Sequence, residues 1–421
     1  MTRRGLGDHL ASILGKAVGL RVRREAFGAI AMTERPAALF YLDEAGAKAM
    51  GCSEPAPEPA GSAEHRAPVE VHWTLSRRCD QACTACYTQS VPNAAPFNRE
   101  RLEATVEALA SAGVFHVAIG GGEPLADPFI LEVARALRAR GLSPSTTTSG
   151  GPVTPDLARR LTDFAQVNVS IDAPGAAYAE VRGHDRFAMA DAALRLLQRH
   201  VPRVGINAVL TRSSFAHLDE LVRYAKERRV TELELLRLKP AGRGRANYLE
   251  QRLTPEQAES VLPRVLALAK RYRVRIKFDC SFAPFVYHHA PEPRVLAFFR
   301  IHGCEAGDSL ASINPEGGLT GCSFLAAEAG PATVALGKAW AGSPVLERLR
   351  RYRQEPPEPC KGCAYLKACN GGCRAVSAHL TGDPYAPDPE CPRVRRAADA
   401  ARDPARDPAR DPARDPARDP E

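Results

Sequence analysis

Residues 69–87, VEVHWTLSRRCDQACTACY, decide the fold. The first seven are apolar-rich and β-branched enough to read as a strand over 69–75. The last nine place three thiols, Cys79, Cys83 and Cys86, on the loop that leaves it, and close on the aromatic Tyr87. Thiolates at C-x3-C-x2-C suit a soft metal centre. A structural zinc site closes its shell with four ligands, whereas three leave a position free.

The strand pattern continues outward from this loop. Candidate strands follow at 114–119, 145–149, 166–172, 204–211 and 231–238, and the segments between them carry helix signals. NRERLEATVEALASAG sets Leu102, Val106 and Leu109 on one face behind Asn98. DPFILEVARALRARG, TPDLARRL and TPEQAESVL each open on an N-cap residue followed by proline. Six strand-helix repeats predict an α/β fold, a parallel sheet curled into a partial (β/α)6 barrel over 68–280, with working loops at the C-terminal ends of the strands. The cysteine loop sits on that rim.

Composition marks the remaining boundaries. Residues 53–67 are rich in Pro, Ala and Glu and read as a linker after an N-terminal segment, 1–52. Over 281–395 the periodicity fades and cysteines, glycines and prolines take over, as in a small region stapled by metal. From 396 a tail leads into five ARDP repeats, whose regular prolines cannot sustain a helix, so disorder is expected there.

At 421 residues, 44% hydrophobic, the chain can bury a large core. No uncharged run approaches the roughly 18–20 residues of a membrane span. The opening MTRRGLGDHLASILGKAVGLRVRR is broken by charges before an apolar core develops, and reads as mature protein rather than a secretion signal. The net charge of +8 is spread without a basic block, which argues against a nucleic-acid partner. Twelve cysteines without an export signal point to reduced thiols in the cytoplasm.

The three-thiol loop after a first barrel strand resembles the signature of the radical S-adenosylmethionine (SAM) enzymes. The resemblance implies a [4Fe-4S] cluster on Cys79, Cys83 and Cys86 whose free iron is chelated by the amino and carboxylate groups of SAM. Reductive cleavage of SAM then gives a 5′-deoxyadenosyl radical that abstracts hydrogen from substrate. GGGEP at 120–124 follows the second strand, and Gly121, Gly122, Glu123 and Pro124 match the family motif for the methionine amino group. Ser170 and Asp172, in SID, match the positions for the SAM carboxylate and ribose, although Ala173 stands where glycine is usual. TTTSG departs from the family pattern after the third strand, which leaves Ser149 unassigned.

Seven cysteines remain beyond residue 300: Cys304, Cys322, Cys360, Cys363, Cys369, Cys373 and Cys391. By themselves they offer thiols for two metal sites, and a double-zinc module is one reading. Their complete spacing resembles the SPASM extension of radical SAM peptide-modifying enzymes, which carries two auxiliary iron-sulfur clusters. The resemblance implies Cys304, Cys322 and Cys373 for the first and Cys360, Cys363, Cys369 and Cys391 for the second. No further cysteine follows Cys304 closely, so the first would have an open iron or a ligand from elsewhere, with Cys280 a candidate. Cys52 reads as a packed apolar residue.

Within this group the chain looks most like the mycofactocin and pyrroloquinoline quinone peptide maturases. The implied substrate is a ribosomally made precursor peptide, modified by oxidative decarboxylation or by carbon-carbon or thioether cross-linking, with a flavodoxin- or ferredoxin-type electron donor. Residues 21–51 resemble part of a leader-peptide-binding domain, a truncated α+β segment that could take a peptide as an added strand; the alternative is a plain hairpin and helix packed on the barrel. Radical modification of tetrapyrrole side chains and a non-catalytic cluster scaffold are the other functional readings. No catalytic acid or base is assigned: Asp279 and Arg243 fall near the rim, where structural roles suit them.

Overall fold

The computed structural model describes residues 18–35, 37–52, 54, 63–299, 301–333 and 336–402. Most of the linker and the ARDP repeats after residue 402 lie outside them. Strands β1 (Arg21–Glu25), β2 (Gly28–Glu34) and β3 (Ala37–Asp43) form an antiparallel sheet in that order, followed by a short helix, Glu44–Ala49, capped by Asp43. Ile30 packs against Val69 and Phe115, seating this sheet on the second one. Arg23 fixes it further by donating to the carbonyls of Ala67, Pro68 and Gly113.

The second sheet has ten strands. β4 (Glu70–Thr74), β5 (His116–Gly120), β6 (Ser143–Thr148), β7 (Gln166–Ser170), β8 (Val204–Leu210), β9 (Leu233–Arg237) and β10 (Ile276–Phe278) lie side by side in sequence order, all parallel. Right-handed crossovers in an unreversed order put every helix on one face, so the sheet curls with its other face inward, as in a barrel rather than a doubly wound sheet. The six expected strands appear with ends shifted by up to two residues, and β10 is an addition.

Two of the three proline-marked helices begin at their caps, whereas the third starts at Ile130, behind Phe129 rather than Asp127. Thr154 accepts from Leu157 N, and Thr254 forms a capping box with Gln257. Leu102, Val106 and Leu109 are buried along helix Leu102–Ala112, about 1.5–3 kcal/mol of transfer free energy for each fully buried side chain.

Three expectations are corrected. The sheet does not stop at 280: β11 (Leu310–Ile313) runs parallel to β4, and β12 (Gly318–Thr320) and β13 (Glu328–Pro331) follow antiparallel. Residues 63–67 are packed chain, not linker, because small side chains there fit the interface. Ala63 and Ala67 are buried, Arg66 N donates to Glu25 and Trp340 Nε1 donates to His65 O. Residues 396–402 belong to a helix, Pro392–Arg402, carried by an alanine- and arginine-rich stretch before the proline repeats begin.

Candidate metal and cofactor site

The cysteine loop leaves β4 and is clamped from both sides. On one side Gly121 and Gly122 lie so close to loop 76–78 that a Cβ would stand 2.4 Å from Ser76 O and 2.1 Å from Arg78 O. The same carbonyls accept from Gly122 N at 2.9 Å and Glu123 N at 2.8 Å. These glycines thus serve an approach of chain to chain. On the other side Gly242, at φ +52°, meets the backbone of Cys86 and Tyr87, and Arg243 donates to Cys83 O at 3.1 Å and Ser90 O at 2.5 Å. Arg243 therefore has a holding role.

The thiols of Cys79, Cys83 and Cys86 are electrostatic neighbours. Burial pushes Cys79 up to about 11. Burial acts the same way on Cys86, but hydrogen bonds from Thr88 and Ser90 outweigh it and bring this thiol below its ordinary value. Cys83 Sγ lies 3.3 Å from Arg182 Nη2 and 3.4 Å from His184 Nε2. Tyr87 OH accepts from Gly121 N at 3.4 Å, and its ring packs on Phe324, so the aromatic links the loop to the C-terminal region.

Glu123 is buried, with Leu125 N and Thr148 Oγ1 on one carboxylate oxygen, at 3.2 and 2.7 Å, and Ser149 N and Oγ on the other, at 2.7 and 2.5 Å. Burial raises its pKa, against the pull of those donors. Ser149 is therefore a partner of Glu123. Ser170 ends β7. Asp172 is paired through Oδ2 with Arg182 at 2.8 Å and accepts Val209 N through Oδ1 at 2.7 Å. Arg182, which bridges Asp172 and Cys83, was not singled out in the sequence. An arginine on a short helix carries no local signal of such a role.

The remaining cysteines gather in two neighbourhoods. Cys360, Cys363, Cys369 and Cys391 line one cavity with Pro284, Leu366 and Arg393. Cys304, Cys322 and Cys373 are electrostatic neighbours of one another, and burial pushes Cys322 up to about 12 and Cys373 to about 11. Thiols held protonated in this way must release protons to bind metal. Among the described residues, no three Cys, His, Asp or Glu side chains close on one point as the ligands of a single ion must. An iron-sulfur cluster asks for a looser set, since each thiolate takes a different iron. The donor sets fit clusters better than zinc.

An ionic latch joins the second neighbourhood to the sheet. Arg237, at the end of β9, donates to Asp388 Oδ2 and Oδ1 at 2.7 and 3.1 Å and to Glu390 at 2.6 Å, with Arg237 3% and Asp388 0% exposed. Asp388 Oδ2 also accepts Cys373 N at 3.0 Å. Burial alone would lower the Arg237 pKa, but the two carboxylates raise it well above its ordinary value. Lys239, two residues on, is buried against Asp279, so the aspartate noted near the rim is half of an ion pair.

A strand-borne loop of three thiols, with a glycine-rich turn and a buried carboxylate just after the next strand, defines a class, and comparison with known proteins gives it a family. The model of the radical SAM superfamily matches residues 73–225. The mycofactocin maturase MftC of Mycobacterium ulcerans is 31% identical over 336 residues, covering 77% of this chain and 88% of the relative. The chain belongs to the radical SAM superfamily of enzymes. The pre-heme d1 synthase of Dinoroseobacter shibae is 29% identical over 346 residues, covering 76% of this chain and 85% of that protein. In fold the chain is like Streptococcus suis SuiB, crystallised with its precursor peptide SuiA, at a TM-score of 0.70 and 18% identity over 89% of this chain and 99% of SuiB. The family implies a [4Fe-4S] cluster and SAM. Among the described residues no helix is long and apolar enough to cross a membrane.

Proposed function

We propose that this chain is a peptide maturase: a SAM-derived radical, generated at Cys79, Cys83 and Cys86, modifies a ribosomally made precursor peptide beside two auxiliary clusters. The observation that carries this reading is the pair of C-terminal thiol neighbourhoods, together with the maturase relative matched over 77% of this chain and 88% of its own length. Cys304, Cys322 and Cys373 would hold one cluster and Cys360, Cys363, Cys369 and Cys391 the other. When bound, the cluster and SAM supply a strong hydrogen-abstracting radical, and the protein aims it and keeps out water. Glu123 would receive the methionine ammonium, with Gly121, Gly122 and Pro124 shaping that turn and Tyr87 bracing it. Ser170 and Asp172 would face the carboxylate and ribose, with Arg182 fixing Asp172. In this division 68–280 is the catalytic barrel and 281–395 the cluster-binding region.

Among the described residues no further strand pairs with β1 or β3 at the edges of their sheet, and Leu39 and Tyr41 are exposed on β3. These features support a leader peptide adding there as a strand. A cytoplasmic setting and a flavodoxin- or ferredoxin-type reductant complete the reading.

The test is anaerobic incubation of the full chain with SAM, dithionite and the peptide encoded by a short reading frame beside its gene. Formation of 5′-deoxyadenosine with a peptide lighter by two hydrogens, or by carbon dioxide and two hydrogens, is expected. The likeness to pre-heme d1 synthase favours a second reading, a tetrapyrrole substrate. Turnover of a haem precursor in place of the peptide would establish it, and absence of 5′-deoxyadenosine with any substrate would leave a non-catalytic scaffold.

A further inference from the structure

We propose that Cys280 is the fourth protein ligand of the cluster held by Cys304, Cys322 and Cys373, which closes that cluster to direct attachment of substrate. The inference rests on the two-auxiliary-cluster reading above. Its basis is how the turn after β10 is built. Asp279 caps the single turn Cys280–Phe282 by accepting Ser281 N at 3.1 Å and Ser281 Oγ at 2.6 Å. The second carboxylate oxygen of Asp279 is held by Lys239, whose ammonium also lies 4.6 Å from the centre of the Phe324 ring. Phe324 is two residues beyond Cys322, and it packs against the small cluster that contains Leu238 and Cys373. One buried cation thus ties the turn carrying Cys280 to the segments carrying Cys322 and Cys373.

The thiols themselves agree with this arrangement. Cys280 is an electrostatic neighbour of Cys304 and Cys322, and Cys322 in turn of Cys304 and Cys373. Four thiols are therefore linked as neighbours where the spacing of the C-terminal cysteines supplies three. Cys52, by contrast, packs on Ala29, Ala31, Leu42 and Ala47, as an apolar cysteine does. Four thiolates on one cluster leave a net negative site, and Lys239, beside both Cys280 and Cys373, is placed to offset it.

The experiment uses the full chain, reconstituted without oxygen and reduced. Methionine and 5′-deoxyadenosine at saturation occupy the SAM-facing iron. Carbon-13 cyanide is the probe, read by electron-nuclear double resonance. Wild type should show no carbon-13 coupling on an auxiliary cluster, whereas Cys280→Ala should gain one and shift its spectrum. Coupling in wild type, or a Cys280→Ala spectrum identical to wild type and blind to cyanide, overturns the proposal; the wild-type arm decides even if the variant fails to fold. Failure of the underlying reading looks different: Cys304→Ala and Cys322→Ala would then leave iron content and spectrum unchanged.

Discussion

Replacing Asp388 by alanine should unlatch the C-terminal thiol region from the barrel. The guanidinium of Arg237 is 3% exposed and shares Asp388 with the Cys373 amide. Removing one partner of a buried pair costs about 3–5 kcal/mol, because the other charge is left without compensation. Glu390 still holds one nitrogen of Arg237 and is itself braced by Arg252 at 2.7 Å, so the low end, about 3 kcal/mol, is expected. The chain is too large for one unfolding equilibrium to measure this, so local opening read by amide hydrogen exchange is the appropriate assay. About 3 kcal/mol at 1.4 kcal/mol per decade is a loss of about a hundredfold in protection for amides near Gly371, Cys373 and Cys391, with little change in β5–β7. The paired change Arg237→Met and Asp388→Leu should recover part of it, since it removes the uncompensated cation and leaves Glu390 paired with Arg252, while the Cys373 amide still lacks its acceptor. A loss below tenfold in the single variant would refute the latch.

Cys83→Ala should abolish formation of 5′-deoxyadenosine, whereas Cys363→Ala should keep part of the uncoupled cleavage while product formation stops; equal loss in folded proteins would mean the two regions are not divided as proposed. Glu123→Gln removes the charge proposed to meet the methionine ammonium and turns one acceptor oxygen into a donor facing donors; losing a hydrogen bond to a charged group, about 1.5–3 kcal/mol, should lower SAM affinity in equilibrium dialysis about tenfold or more. Because the Glu123 pKa is raised, SAM binding to wild type should weaken on acidification at a higher pH than an ordinary glutamate, about 4.3, would give. His288 is held at about 4 by burial and by Arg396 and its neighbours. The fold favours its neutral form, so its contribution is complete above about 6.5 and is lost as pH falls toward 4. Wild type should lose thermal stability relative to His288→Gln between pH 7 and pH 5, and a constant gap would contradict this.

The barrel was legible where chemistry is local. Thr154, Thr254 and the prolines after them announce their helices, and the apolar alternation of β5 and β8 announces strands. β10 was not legible, since three residues with Lys277 at the centre carry no period, and neither was the attachment of β11, which depends on pairing with a strand some 240 residues earlier. The cysteines could be counted in the sequence, but their grouping across a hundred positions is a tertiary fact. Gly121 and Gly122 were recognised by their motif, yet what approaches them is loop 76–78, which no local pattern reveals. Arg182 and Lys239 were missed for the same reason: a buried cation looks like any other until its partners are in place.

The pairing of β11 with β4 bears on how the molecule can be divided. A fragment ending at residue 280 would strip β4 of its neighbour and bare a row of backbone donors and acceptors along an apolar strand, an invitation to self-association. Excising residues 68–280 for separate study would therefore give an aggregation-prone piece, and engineered chimeras should be joined outside this sheet.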